Sequence, residues 1–183
     1  MKRKYNPAYR PKTALGRVLH AGSLALPLFL ALGCAEINCP LDNVVVLTAG
    51  LYAAEDASPL TLPDTLTVTA AGTDSVLLNR ATDIGSFQVP VRQGAETDTL
   101  LLRFANTELQ TATDTLFVTH TNEPHFESID CPPSMFHVIT SVRWTSHALS
   151  QFPLTVDSVA MARPLVNYDD VENIKIYLRS TAR

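Results

Sequence analysis

At 183 residues with a formal net charge of −4, the chain suits one domain that can bury a core of its own without a metal to hold it together. The charge is unevenly spread, because residues 1–33 carry six of the fourteen Lys and Arg and no acid, which leaves eight basic against eighteen acidic residues beyond them, a net −10. This balance argues against binding nucleic acid or an anionic membrane through a basic patch, since both need clustered Lys and Arg to displace counterions.

Lys2, Arg3, Lys4, Arg10, Lys12 and Arg17 precede an apolar stretch running from Val18 through Leu24, Leu26, Leu28, Phe29, Leu30 and Leu32. That order is the pattern of a signal peptide. Val18 to Gly33 is 16 residues, broken by Pro27, short of the roughly 20 apolar residues of a spanning helix. Residues 1–33 are therefore read as a signal peptide, with a transmembrane helix as the weaker alternative. The segment ends Leu30-Ala31-Leu32-Gly33-Cys34, which resembles a bacterial lipobox, where small residues admit the peptidase and the cysteine receives a diacylglycerol. Ala31 departs from the Leu more usual there. The resemblance implies that Cys34 becomes the mature N-terminus and carries several chains, of the palmitate kind, enough for stable anchoring where one chain would not suffice. An ordinary secretory signal that leaves Cys34 as a thiol is the alternative. The expected location is the cell envelope, lipid-anchored to the outer membrane in preference to the inner, with the domain in the periplasm or at the surface.

Residues 34–42 read as anchor and tether, and 43–183 as a single domain. With Cys34 lipidated, Cys39 and Cys131 remain as an even pair in an oxidising compartment, expected to form a disulfide. Their separation of 92 residues corresponds to about 4 to 5 kcal/mol in the chain-entropy model. There is no Cys-x-x-Cys motif to suggest redox chemistry.

From Asn43 onward the dominant period is two, that of strands with one buried face. Strands are expected near 43–53, 64–71, 74–79, 86–92, 98–105, 113–120, 135–144, 155–162 and 173–179. Val44 to Leu51 is apolar on both faces, as a central strand requires. Leu66, Val68 and Ala70 alternate with Thr65, Thr67 and Thr69, and Leu100, Leu102 and Phe104 alternate with Thr99, Leu101 and Arg103. Phe136, Val138, Thr140, Val142 and Trp144 are expected to share one buried face, and Ile174, Ile176 and Leu178 another. Gly72, Gly85, Gly94, Pro124, Pro132, Pro133, Pro153 and Pro164 mark breaks. The fold class is thus all-β, an antiparallel sandwich of which the immunoglobulin-like form is one version, with a small closed barrel as the alternative.

One tripeptide recurs as Asp64-Thr65-Leu66, Asp74-Ser75-Val76, Asp98-Thr99-Leu100, Asp114-Thr115-Leu116 and Asp157-Ser158-Val159. Its plain reading is a turn aspartate at the head of a strand. It is also similar to the acceptor motif of a general O-glycosylation system of Bacteroidetes envelopes, which would make Thr65, Ser75, Thr99, Thr115 and Ser158 candidate sites wherever they are exposed.

No phosphate loop, Gly-x-Ser-x-Gly, His-Glu-x-x-His or EF-hand pattern occurs, so no catalytic residues, metal ligands or cofactor are assigned. His120, His125, His137 and His147 lack a spacing that enforces a zinc site and are read as surface or packed residues. Asp169, Asp170 and Glu172, with Asn167 and Asn173, could attract calcium but read as a solvated loop. Tyr52, Trp144, Tyr168 and Tyr177 could line a glycan or peptide groove, although isolated aromatics in strands usually fill cores.

The lipobox-like end at Cys34, the nearby Cys39, Asp64-Thr65-Leu66-Thr67-Val68, Asp114-Thr115-Leu116, Cys131, Asp157-Ser158-Val159 and Asn173-Ile174-Lys175-Ile176-Tyr177-Leu178 together resemble an uncharacterised Bacteroidetes lipoprotein family, a domain of unknown function. The resemblance implies an envelope location and a β-domain, and carries over no catalytic residue. Two functions stay open. One is a non-catalytic lipoprotein that binds or supports another envelope protein through a sheet edge or apolar patch. The other is a glycan- or peptide-binding or hydrolytic accessory lipoprotein, expected to gather Tyr168, Asp169, Asp170 and a histidine in one cleft. Oligomeric state is not legible.

Overall fold

The computed structural model describes Cys39 and residues 44–181, which lie in one compact unit beginning at Cys39. The signal segment, Cys34 and most of the tether lie outside the described residues. The described chain forms ten strands and no helix: β1 Val46–Ala53, β2 Thr65–Ala70, β3 Ser75–Ala81, β4 Ser86–Pro90, β5 Thr97–Ala105, β6 Thr111–His125, β7 Ser134–Thr145, β8 Leu154–Met161, β9 Leu165–Val166 and β10 Ile174–Ser180. They make a four-stranded sheet in the order β4-β1-β10-β8 and a six-stranded sheet in the order β3-β2-β5-β6-β7-β9. Both sheets end in open edges, so the sandwich forms and the closed barrel does not.

Alternation decides what faces inward. Leu47, Ala49 and Leu51 of β1, Phe87 and Val89 of β4, Ile174, Ile176 and Leu178 of β10, and Leu154 and Val156 of β8 come from the first sheet. They share one buried cluster with Leu66 and Val68 of β2, Leu100, Leu102 and Phe104 of β5, and Leu116 and Val118 of β6. A Leu, Ile or Phe side chain contributes about 1.5 to 3 kcal/mol when fully buried, and sheets stacked near 10 Å apart fill their gap with such residues. β1 is buried on both faces over most of its length, as its uninterrupted apolar run requires.

The structure departs from the sequence reading in four places. β1 pairs with β10 in parallel, Ala49 opposite Ile174 through Ala53 opposite Leu178, so the first sheet is mixed rather than wholly antiparallel. Side-chain periodicity cannot reveal strand direction, because the period is two in either sense. β9, two residues after Pro164, is too short to leave a periodic signal. β6 runs to His125 through Pro124, a residue that the sequence marks as a break. Beyond Thr119 it pairs only with β7 while β5 begins at Thr97, so a proline there is tolerated at an open edge.

The fourth departure concerns β7. Thr119 pairs with Ser141 but His120 pairs with Ile139, which leaves Thr140 as an extra residue in a bulge. A bulge shifts the alternation by one. His137 and Ile139 are buried before it, while Val142 and Trp144 stand opposite the core residues Val118 and Leu116 after it. Phe136 and Val138 consequently turn outward, and the single buried face expected from Phe136 to Trp144 does not exist.

Candidate functional site

The inward register of β5 and β6 is not wholly apolar. Asp98, Asp114 and His120 occupy positions that alternation assigns to the core, and all three are buried. A buried polar group is tolerated only when its hydrogen bonds are made, and two networks make them.

The first closes the hairpin end of the six-stranded sheet. Asp98 accepts a hydrogen bond from the Arg92 backbone N–H (3.0 Å) and is ion-paired with the Arg92 guanidinium, which also donates to the Thr97 carbonyl (2.7 Å). Asn122 is the hub. Its Oδ1 lies 2.9 Å from His120 Nδ1 and 2.7 Å from His137 Nδ1, and its Nδ2 donates to the Gln93 and Ala95 carbonyls, both at 2.9 Å. An acceptor oxygen shared in this way fixes both rings with the hydrogen on Nδ1. The two rings meet edge to face with centroids 5.1 Å apart. His120 Nε2 then faces Asp98 Oδ2 at 3.3 Å without an aligned hydrogen-bond partner among the described residues. Burial pushes the His137 pKa down to about 4, helped by His120 and opposed by Asp98, so that ring is neutral at pH 7. His137 borders a cavity of about 340 Å³ shared with Val44, Val45, Pro133 and Met135.

The second network joins the two sheets. Asp114 Oδ1 accepts from the His147 backbone N–H (2.6 Å) and faces its Nδ1 (2.7 Å), while Oδ2 accepts from the Val156 backbone N–H (2.7 Å) and the Thr155 hydroxyl (3.2 Å). The carboxylate of β6 thereby holds the segment after β7 and the start of β8, with Phe104 and Phe152 packed against the His147 ring. Both oxygens are consumed by structure. Neither network offers an exposed nucleophile.

The remaining candidates disperse. Cys39 and Cys131 are joined by a disulfide, Cα–Cα 5.6 Å. His125 stacks on Phe136 at 4.2 Å, and Tyr168 meets both rings, so one histidine and Tyr168 come together on an outer face. Asp169, however, pairs with Arg163 and Asn167, and Asp170 accepts from Gln88 (2.7 Å). Glu172 accepts from the Tyr52 hydroxyl (2.8 Å), and buried Asn173 binds the Thr48 N–H and the Leu165 carbonyl. The acidic loop thus spends its carboxylates on separate partners, and no group of three metal-ligating side chains occurs among the described residues.

Tyr52 and Tyr177 lie 5.7 Å apart with Lys175 over the Tyr52 ring. They sit on the outer face of the first sheet, where Gly50 makes room. A Cβ there would overlap the Glu172 carboxylate and touch the Tyr52 ring. Trp144 is apart from them and partly exposed. Among the five hydroxyls of the repeated tripeptide only Ser75 is exposed, with Asp74 at φ 52 beside it, whereas Thr65, Thr99, Thr115 and Ser158 are half-buried. Asp114 lies within β6 rather than at its head, so its role there is the inter-sheet clamp and not a turn.

Sequence reasoning singled out Asp98, Asp114 and the histidines but missed Arg92, Asn122 and Gly50. The available signal was polar residues falling in register with an apolar alternation. Asn122 carried that signal too, two residues beyond His120 on the inward register of β6, but its ring partner His137 is turned inward only by the bulge in β7.

These features define a two-sheet β-sandwich with polar clamps in its core and no convergent ionisable cleft among the described residues. The chain belongs to a family of unknown function (DUF6452), whose model matches residues 65–178, from β2 into β10. No curated protein and no solved structure matches it.

Proposed function

We propose that this protein is a lipid-anchored lipoprotein of the Bacteroidetes cell envelope, held to the outer membrane through Cys34, whose sandwich is a non-catalytic domain that binds or supports another envelope protein. The observation that carries this reading is the pairing of Cys39 with Cys131. Disulfides belong to oxidising compartments, and the pairing takes up Cys39 and Cys131, so that Cys34, at the end of the apolar stretch, is the remaining cysteine of the sequence. The non-catalytic part is supported by the buried carboxylates and imidazoles, which serve as hydrogen-bonded clamps between strands and sheets. The partner surface would be an open edge or an exposed apolar patch.

A second reading, a glycan- or peptide-binding accessory lipoprotein, draws on the Tyr52, Tyr177 and Lys175 cluster of the first sheet's outer face. Membrane fractionation tests the anchor. Wild-type protein should partition with the outer membrane and a Cys34→Ala variant should be lost from it. Equal partitioning of the two would overturn the proposal.

A further inference from the structure

The hairpin of β6 and β7 ends in the loop 126–133, whose side chains are unusual for an acidic domain. Phe126 is 64% exposed and Ile129 98%, and Val44, 61% exposed, lies at the same end, where it shares a cavity wall with Pro133 and Met135. Three exposed apolar side chains share this end, against Leu109 alone, 90% exposed, at the β5–β6 turn, and apolar groups gathered in this way are candidates for a contact surface.

The covalent chain says which end this is. Cys131 in the loop is bonded to Cys39 with 5.6 Å between their Cα atoms. Cys39 is five residues from Cys34, and five residues reach at most about 18 Å when fully extended. The loop is therefore tied within a short radius of residue 34. Strand register places the opposite end elsewhere: the β5–β6 turn with Leu109, and the cavity of about 410 Å³ lined by Leu60, Asp64, Pro153 and Leu154, lie where β6 starts and β1 ends.

We infer that the β6–β7 tip is a membrane-contact element, with Phe126 and Ile129 entering the headgroup region of the leaflet that holds the lipid on Cys34. The inference rests on the anchor reading of the preceding subsection. Two apolar side chains would bind a membrane weakly by themselves, but a short tether makes their insertion an intramolecular event at high effective concentration. Glu123, Glu127 and Asp130 flank the tip, with Glu127 facing His125, so the contact suits zwitterionic lipid and is opposed by an anionic surface.

The test uses full-length protein purified with its native modification and reconstituted into phosphatidylcholine vesicles whose acyl chains are brominated. The chain has a single Trp, so Trp144→Phe gives a dark background for Ile129→Trp and, as a control at the far end, Leu109→Trp. The indole at position 129 should shift to the blue and lose roughly half its emission to bromine, as insertion of about 5–10 Å requires. Its quenching should weaken in vesicles rich in phosphatidylglycerol, and the indole at position 109 should stay unquenched. If intact mass shows lipid on Cys34 but position 129 is unquenched, or is quenched no more than position 109, the inference falls while the anchor stands. A blue shift without bromine quenching would mean that the tip docks on protein and would likewise overturn it. An unlipidated Cys34 would remove the anchor reading and this inference together.

Discussion

Replacing Asp114 by Ala removes one carboxylate and strands three donors. Two are backbone N–H groups, of His147 and Val156, and the third is the His147 ring, all within 2.7 Å of the carboxylate oxygens, whereas the Thr155 hydroxyl keeps the His147 carbonyl at 3.0 Å. Asp114 is 1% exposed, so water cannot readily replace it, and a buried donor left without a partner costs about 1 to 3 kcal/mol. The His147 ring moves with its backbone, so the losses do not simply add. Removal of one member of such a buried charged network costs about 3 to 5 kcal/mol, a large share of a total stability of about 5 to 15 kcal/mol. Asp114→Asn keeps the shape and one acceptor oxygen but points an amide at donors, and should fall between the variant and the parent. Urea unfolding of the disulfide-intact protein measures this directly. With a slope of roughly 1 to 3 kcal/mol per molar, Asp114→Ala should lower the midpoint by about 2 M at unchanged slope. A loss under about 1 kcal/mol would refute the claim that this carboxylate clamps the two sheets.

Three further outcomes follow from named contacts. The lowered pKa of His137 means that the unfolded chain binds a proton the folded one refuses between pH 6.5 and about 4; stability is therefore present above that window and falls as pH drops through it, by up to about 3 kcal/mol. Comparing urea midpoints at pH 7.5 and 4.5 for the parent and for His137→Gln should show the smaller fall in the variant, and identical falls would refute the assignment. Hydrogen bonding to Glu172 holds the Tyr52 pKa above 10.0, so Gly50→Ala, which displaces that carboxylate, should bring the tyrosinate absorbance transition of Tyr52 down in pH, as should Glu172→Gln; an unchanged titration would remove the contact. If the repeated tripeptide is glycosylated in the native host, the sugar should map to Ser75 and vanish in Ser75→Ala. Peptide mapping that places it on Thr99 or Thr115 instead would refute the exposure argument.

The sandwich was legible because its signal is local: Leu66-Val68, Leu100-Leu102-Phe104 and Ile174-Ile176-Leu178 each declare a buried face within a few residues. The doubly apolar stretch from Val44 foretold that β1 would be central. What escaped was whatever depends on a partner strand. The parallel sense of β1 and β10 joins the two ends of the domain, and no residue near either strand encodes it. The bulge at Thr140 is a mismatch between β6 and β7, invisible in β7 alone, yet it turns His137 into the core and Phe136 out of it. The polar clamps were half legible. Asp98, Asp114 and His120 sit in core register on their own strands, but read as a turn motif and as scattered histidines until Arg92, Asn122 and His147 are brought beside them. Aspartates that look alike along the chain thus divide into buried clamps at 98 and 114 and an exposed turn residue at 74, according to where their neighbours lie.

Intact mass spectrometry of the protein purified from its own membranes, with and without reduction, tests the central claim most directly. The expected result is a chain beginning at Cys34 and carrying lipid, with the Cys39–Cys131 bond opened by reduction. A chain without lipid, retaining three free thiols, would contradict both the envelope location and the anchor.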